Sequence, residues 1–190
     1  VRLVGSEMCI RDRGYTLGED LVARNPSDSE GKKVGIISGY KDTCCAGERT
    51  RGVLDALADT DYEIQFTINV TYETSITEMF MQQKPVDYLI VLETGILEEI
   101  AKILSDKQEN GMKVYGIGSS IKCVYYLDEA VIDGLIVVDG YDMGYQSGLQ
   151  ISDMLNKRLH RTKDQATDYR LLHKEDIFSE DTQKFLYTFY

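Results

Sequence analysis

The amino-acid sequence predicts a doubly wound α/β fold, in which helices cover both faces of a five-stranded parallel sheet with the strand order 2-1-3-4-5. Short apolar runs rich in β-branched residues recur at 34–38, 64–70, 88–92, 114–118 and 134–138, and helical periodicity fills most of the intervals. The first, third and fifth runs are almost continuously apolar, as strands buried on both faces must be. Right-handed crossovers between such strands produce a three-layer arrangement.

The helices are predicted from apolar stripes and from the residues that precede them. The clearest covers 46–58, where Val53 and Leu57 share one face and Asp42 or Thr43 is placed to cap the first turn. The next covers 73–83 and contains Ser75 three residues before Glu78, the spacing of a capping box. The remaining predicted elements are helices at 14–24, 95–108 and 142–159, a strand at 169–172 and a terminal helix capped at Ser179.

Composition and charge exclude several classes of protein. The chain has 190 residues, of which 43% are apolar and 28% charged, so it can bury a core. No apolar run approaches the roughly 20 residues that a membrane-spanning helix needs. The formal net charge is -11, which disfavours phosphate neutralisation by clustered cations and therefore nucleic-acid binding by this stretch.

The first thirteen residues have a different origin from the rest in our interpretation. Residues 1–13 read VRLVGSEMCIRDR, which resembles the translation of a transposase adaptor used to prepare DNA for sequencing. We therefore expect this segment to be a non-native scar, with the natural protein entering near Gly14. The natural N-terminus is then missing from the sequence.

Polar residues that follow the predicted strands are the candidate ligand contacts. In an open parallel sheet, ligands bind outside the carboxyl ends of the strands, and planar charged groups suit a polyhydroxylated ligand because they engage two hydroxyls at once. The candidates are Asp42, Arg49, Tyr72, Glu93, Ser119, Ser120 and Asp139.

Structural roles for the same residues stay open at this point. Arg49 can instead pair with Asp42 or Asp55 on the protein surface. Glu93 can favour the positive N-terminus of the helix that follows it. Loops after strands are polar in any α/β protein, so the sequence alone does not separate these roles from ligand contact.

The sequence predicts neither a catalytic residue, nor a metal site, nor a cofactor. Its two histidines, His160 and His173, lie away from the strand ends, and we expect both to be solvated. Cys44 and Cys45 are adjacent and Cys123 is distant, so the spacing of a metal or redox C-x-x-C motif is lacking. We expect free thiols.

Four stretches of the sequence resemble parts of a known family. VGIISGYKDTCCAGERTRGVLDAL is similar to an opening strand, loop and helix, with Arg49 three residues before Gly52. YLIVLETGILEEIAKIL resembles the third unit, VYGIG the fourth strand, and DGLIVVDGYDMGY the fifth strand and the helix after it. The family is that of type I periplasmic binding proteins and lactose-repressor-type effector domains, and the resemblance to its C-terminal lobe covers roughly 14–190.

The resemblance implies roles for three candidate residues. Arg49 matches the ligand-gripping Arg of the family, Glu93 stands where an Asn or Asp contacts the ligand, and Tyr72 lies near a pocket aromatic. The chain departs from the sugar-binding members at two places. Ser119 follows Gly118 where those members have a G-F-D pattern, and Val138 replaces the usual Gln.

The resemblance also implies how the chain is divided. Residues 14–140 form the C-terminal lobe, 141–160 a helix that belongs to the missing N-terminal lobe, and 161–190 a return segment and tail. Without its lobe, that helix should expose apolar side chains. We expect this of Met143, Ile151, Met154 and Leu155.

The function implied is that of an extracytoplasmic solute-binding protein, which closes two lobes around a sugar and serves an ABC-type permease or a membrane sensor. The alternative is the effector domain of a cytoplasmic transcription repressor, whose helix-turn-helix would lie outside this sequence. The ending KEDIFSEDTQKFLYTF resembles the tail of some solute-binding proteins and favours the first. A small α/β enzyme is opposed because the sequence shows no nucleophile and base constellation.

Overall fold

The computed structural model of the chain describes residues 7–26, 31–41, 43–71, 73, 75–107, 111–157 and 167–187. Its strands are β1 (Lys33–Ser38), β2 (Glu63–Asn69), β3 (Tyr88–Val91), β4 (Lys113–Ile117), β5 (Gly134–Val138) and β6 (Tyr169–Leu172). Its helices are α1 (Glu7–Arg24), α2 (Cys44–Leu57), α3 (Ile76–Met81), α4 (Thr94–Lys107), α5 (Ile121–Asp128), α6 (Gly140–Lys157) and α7 (Glu180–Leu186), with a 3₁₀ turn at Lys174–Asp176.

The strands form one sheet in the order β2-β1-β3-β4-β5-β6. The pairs from β2 through β5 are all parallel, which confirms the predicted order of the first five strands. The strand predicted at 169–172 is also confirmed, and it adds to the edge of the sheet by pairing antiparallel with β5. The fold class is therefore the predicted three-layer α/β arrangement.

Two apolar clusters separate the layers. On one face, Leu17 and Leu21 of α1 and Val53 of α2 pack against β1, β3 and β4. On the other face, Leu97 of α4 and Leu127 of α5 pack with the opposite sides of the strands, and α3 and α7 add partly buried side chains. The caps predicted for α2, α3 and α7 are confirmed, since a side-chain oxygen of Thr43, Ser75 or Ser179 accepts a backbone hydrogen bond at each start.

Two helices, α1 and α3, differ by more than two residues at one end from their predicted extent, and α5 is an additional helix. α1 begins at Glu7 and thus continues through part of the segment assigned to the adaptor, whose origin stays a prediction. α3 is shorter than 73–83 because its cap at Ser75 sets its start at Ile76. α5 was not predicted, because VYY in its centre favours a strand by propensity, whereas the cap at Ser120 and burial of Cys123 and Leu127 determine a helix.

Glycines allow α1 and α2 to approach closely. A β-carbon at Gly14 would lie 2.0 Å from the carbonyl oxygen of Arg49, and one at Gly18 would lie 2.6 Å from the β-carbon of Ala56. Both distances are far shorter than a van der Waals contact, so these positions require the smallest residue. The close approach places α2, and with it Arg49, relative to the sheet.

α6 leaves the sheet and exposes an apolar surface. We call this surface the α6 face; its members are Tyr141, Tyr145, Leu149, Ile151 and Leu155, all between 46% and 76% exposed. The predicted exposure is confirmed for Met143, Ile151 and Leu155, whereas Met154 is half-buried. β-carbons added at Gly140, Gly144 and Gly148 would meet nothing within 4 Å, so the described part of the chain does not explain these glycines.

The expectation of a solvated histidine is wrong for His173, and His160 lies outside the described residues. The His173 side chain is buried against α1, and its Nε2 lies 2.9 Å from Oδ2 of Asp20. The backbone N–H of His173 donates to Asp176 in the following 3₁₀ turn. The imidazole therefore has a structural role, since it joins the segment after β6 to α1.

Candidate functional site

The carboxyl ends of β1 to β5 lie at one edge of the sheet because these strands are parallel. α2, α4, α5 and α6 begin near the same edge, each after the strand that precedes it in the chain. We call this edge the rim, and its described polar residues include Arg49, Asn69, Glu93, Ser119, Ser120 and Asp139.

Arg49 and Glu93 form the centre of the rim. Nη1 of Arg49 donates to the carbonyl oxygen of Leu92 at 2.7 Å and lies 3.0 Å from Oε2 of Glu93. The Arg49 side chain is 16% exposed and the Glu93 side chain 49%. The backbone of the β3 end therefore holds a largely buried guanidinium beside an accessible carboxylate.

The guanidinium of Arg49 retains donors for a ligand. Both of its described bonds use Nη1, and Nη2 bonds to none of the described residues. Nε is buried and likewise has no hydrogen-bond partner within the part of the chain that the structure describes. Nη2 is therefore the donor of the Arg49 guanidinium that remains available to a ligand, whereas Nε is enclosed by the protein.

Asn69 is a rim residue that the sequence analysis missed. Its Nδ2 donates to the carbonyl oxygen of Gly39 at 3.0 Å, which joins the ends of β1 and β2. A β-carbon at Gly39 would lie 3.5 Å from Oε2 of Glu93, so Glu93 lies close to this turn. The available signal was the last polar residue of the predicted strand 64–70.

The hydroxyls of Ser119 and Ser120 bond within the protein. Ser119 Oγ accepts from the backbone N of Val138 at 3.1 Å, which joins the loops after β4 and β5. Ser120 Oγ accepts from the backbone N of Cys123 at 3.2 Å and so caps α5. A hydrogen bond from Ser120 also lowers the pKa of the Glu98 carboxyl. Both hydroxyls thus shape the rim, and their contact with a ligand stays a prediction.

Asp139 also forms hydrogen bonds within the protein, through both its side chain and its backbone. Its Oδ1 accepts from the backbone N of Asp142 at 2.8 Å in the first turn of α6. Its own backbone N donates to the carbonyl oxygen of Asp168 at 3.0 Å. The chain therefore leaves the sheet at Asp139 and returns at Asp168, and the two residues are hydrogen-bonded to each other.

The structure brings some of the predicted site residues together and separates others. Arg49 and Glu93 are in contact, and Ser119 and Asp139 follow neighbouring strands. The ends of β3 and β5 are two strand spacings apart, roughly 9–10 Å, which is comparable with the length of a monosaccharide. Asp42 and Tyr72 lie outside the described residues.

The described residues contain no group of three or more His, Cys, Asp or Glu side chains able to hold a metal ion. Cys44 and Cys45 are exposed at the start of α2, and their thiols are not joined in disulfides. Cys123 is free and buried, and burial raises the pKa of its thiol. The groups that form hydrogen bonds at the rim are a guanidinium, carboxylates, an amide and hydroxyls.

Within the ranges that the structure covers, each helix is too short or too polar to cross a bilayer. Residues 11–159 match the family described as Periplasmic binding protein domain. No curated protein matches the chain in sequence.

Solved structures of similar fold include sugar-binding proteins and a regulator. A carbohydrate transporter solute binding protein from Agrobacterium radiobacter, in complex with D-arabinose, has a TM-score of 0.77 at 16% identity and covers 95% of this chain. A glucose-galactose binding protein from Geobacillus stearothermophilus has a TM-score of 0.76 at 17% identity and 93% coverage. A putative LacI transcriptional regulator from Bacteroides fragilis has a TM-score of 0.73 at 16% identity and 92% coverage.

The chain spans 63% of the first two of these structures and 62% of the third. At such identities the likeness establishes the fold.

Proposed function

Because the chain belongs to the periplasmic binding protein domain family, and to the type I class by its fold, we propose that it is the C-terminal lobe of a two-lobed protein that binds a sugar between its lobes. The whole protein acts as the solute-binding component of an ABC-type transport or sensing system. It works outside the cytoplasm and delivers its sugar to a membrane permease or a sensor.

The Arg49–Glu93 pair is the observation that carries the sugar-binding proposal. Nη2 of Arg49 is able to donate to a sugar oxygen while Nη1 stays bonded to Leu92 and Glu93. The half-exposed carboxylate of Glu93 accepts from a sugar hydroxyl. Donor and acceptor side by side match a vicinal diol, in which each hydroxyl both donates and accepts.

The exposed α6 face supports the proposal that a second lobe packs on this helix. Isolated exposed apolar side chains are ordinary, but five large ones along one helix mark an interface. The glycines at 140, 144 and 148 leave room for another backbone to approach this helix. A lobe that packs on α6 would stand above the rim, since α6 begins there.

The likeness to the Bacteroides fragilis regulator favours one alternative, the effector domain of a lactose-repressor-type transcription regulator. Such a domain would bind its effector at the same rim. The two functions differ in the segment that precedes the lobes, which is a DNA-binding head in the regulator. We propose binding rather than catalysis in both cases, in line with the family.

The test is calorimetric titration of the natural full-length protein against D-arabinose, D-fucose, D-glucose and D-galactose. We expect micromolar or tighter binding of at least one sugar, and at least about tenfold weaker binding by the present chain, because half of the contacts belong to the second lobe. Equal sub-micromolar binding by a monomeric preparation of the present chain would contradict the two-lobed proposal. Sugar-dependent DNA binding would favour the regulator.

A further inference from the structure

The charge at the centre of the rim differs from that of a site for anions. Arg49 lies 3.0 Å from Glu93, so its positive charge is already balanced by a carboxylate of the protein. We infer that Glu93 makes this site selective for uncharged sugars and excludes sugar acids, an inference that rests on the proposed function. Glu93 is thus the specificity-determining residue of the rim.

Arg49 is the cation at the centre of the rim, so the carboxylate of a bound sugar acid would have to pair with it. An arginine that recognises a carboxylate offers two parallel N–H groups to it. Here Nη1 is committed to Leu92 and Glu93, so the carboxylate of a ligand would reach at most the remaining Nη2. It would also approach the negative charge of Glu93 within a few ångströms, where like charges repel strongly in a partly desolvated site.

The neighbouring charged groups do not compensate for this repulsion. Asp139 adds a second carboxylate at the end of β5, with Asp142 bonded to it through the backbone. Arg51 is paired with Glu48 at 2.8 Å on α2. Lys41 is exposed and lines a cavity of about 400 Å³ with Gly47, Thr50 and Leu54. These three residues lie on the opposite face of α2 from Arg49, since successive residues of a helix are rotated by about 100°.

An uncharged sugar avoids these costs. Its hydroxyl hydrogen donates to Glu93 while its oxygen accepts from Arg49, so both partners of the ion pair gain a hydrogen bond. No unpaired charge is buried by the ligand. The same pair that attracts a diol therefore rejects a carboxylate.

The test compares sugars that differ only in oxidation at C6. We would titrate D-galactose against D-galacturonate, and D-glucose against D-glucuronate, into the natural full-length protein and its Glu93→Gln variant. The matched control is Glu63→Gln, which removes the same charge at the start of β2, at the opposite end of the strands. The measured quantity is the ratio of the Kd of the acid to the Kd of the neutral sugar.

We expect the parent to bind a neutral sugar at least about a hundredfold more tightly than its acid, and Glu93→Gln to reduce this ratio at least about tenfold by freeing Arg49. Glu63→Gln should leave the ratio unchanged. Raising the salt concentration should reduce the ratio in the parent, because salt screens the repulsion.

Two results would overturn the inference while the proposed function stands: a parent that binds the acid as tightly as the neutral sugar, or a ratio that Glu93→Gln does not change. If the parent binds no sugar, neutral or acidic, the proposed function fails, and this inference fails with it.

Discussion

Arg49 combines a backbone contact, an ion pair and free donors in one side chain. A lysine at this position would keep the positive charge, but its single ammonium nitrogen cannot contact Leu92, Glu93 and a ligand at the same time. We expect Arg49→Lys to weaken sugar binding by the full-length protein about tenfold and Arg49→Ala by about ten- to a hundredfold, since a charged hydrogen bond contributes about 1.5–3 kcal/mol.

Calorimetry on folded variants measures this loss, with circular dichroism to establish folding. Arg51→Lys, two residues along α2 and exposed, is the control and should bind like the parent. Unchanged affinity in both Arg49 variants would make Arg49 a purely structural residue.

Tyr115 gives the fold a dependence on alkaline pH. Its hydroxyl accepts from Asn25 at 3.2 Å, and burial raises the pKa of Tyr115 to about 12. The native state therefore holds this proton where the unfolded state, with a pKa near 10, has released it. The contribution is complete below about pH 10 and decreases as the pH rises from about 10 to 12.

We expect the free energy of unfolding, measured with urea at pH 9 and at pH 11.5, to fall less in Tyr115→Phe than in the parent, by up to about 2 kcal/mol. The chain has 13 tyrosines, so this difference between proteins, and not the total decrease, isolates Tyr115. An equal decrease in both would show that the Tyr115 hydroxyl titrates normally.

Position along the strands predicted that Arg49 and Glu93 lie at one rim, because the carboxyl ends of parallel strands meet. Their ion pair was not predicted from the sequence. The backbone contacts of Ser119 and Ser120 were beyond that reasoning, since they depend on how neighbouring loops dock. Asn69 was missed because the predicted strand 64–70 ends one residue later than β2. Asn69 was therefore placed inside the strand, and only the residues after Val70 were considered as candidates.

At the scale of elements, the contact between α1 and α2 determines where Arg49 lies. We expect Gly14→Ala to destabilise the protein by about 1–3 kcal/mol or more, because its β-carbon would overlap the carbonyl oxygen of Arg49. The variant should also weaken sugar binding, since α2 must move.

Urea denaturation measures the first effect. The matched control is Gly47→Ala in α2, where a β-carbon meets nothing within 4 Å and alanine should stabilise the helix by about 0.5–1 kcal/mol. If both alanines act alike, the close approach of α1 and α2 is not a constraint.

Strong apolar patterns were sufficient to predict the strands, including β6, whereas helix ends and α5 were less predictable. The inner strands β1, β3, β4 and β5 lie between two helix layers and are buried on both faces, so a few consecutive apolar residues reveal them. The edge strands β2 and β6 are partly exposed and have a weaker pattern. α5 is a short helix whose central residues have high strand propensity, so its existence depends on the packing of Cys123 and Leu127 under α4.

At the scale of the whole molecule, α6 should behave differently in the present chain and in the full-length protein. Leu149 and Leu155 are 47% and 76% exposed, so Leu149→Gln with Leu155→Gln should leave the stability of the present chain within about 0.5 kcal/mol and reduce its self-association. In the full-length protein, the same two substitutions should cost about 2 kcal/mol or more, because the second lobe that we propose would cover both side chains.

Thermal unfolding and light scattering on both proteins check this contrast. Leu97→Ala, at a fully buried position, is the control that should cost about 2–5 kcal/mol in either protein. Equal tolerance of the α6 changes in both proteins would mean that the α6 face stays uncovered.

The antiparallel pairing of β6 with β5 has a mechanical consequence. The chain leaves the sheet at Asp139, after β5, and returns at Asp168, before β6. A backbone hydrogen bond joins these two residues, so the outgoing and the incoming segment lie side by side at the end of one two-stranded ribbon formed by β5 and β6. A body attached beyond that ribbon can swing or twist about it while the sheet keeps its register, since few dihedral angles need to change. In the two-lobed protein that we propose, the stiffness of β5 and β6 would determine how far the second lobe swings, and a substitution that loosens their pairing would alter the rate of that swing while leaving the rim residues in place.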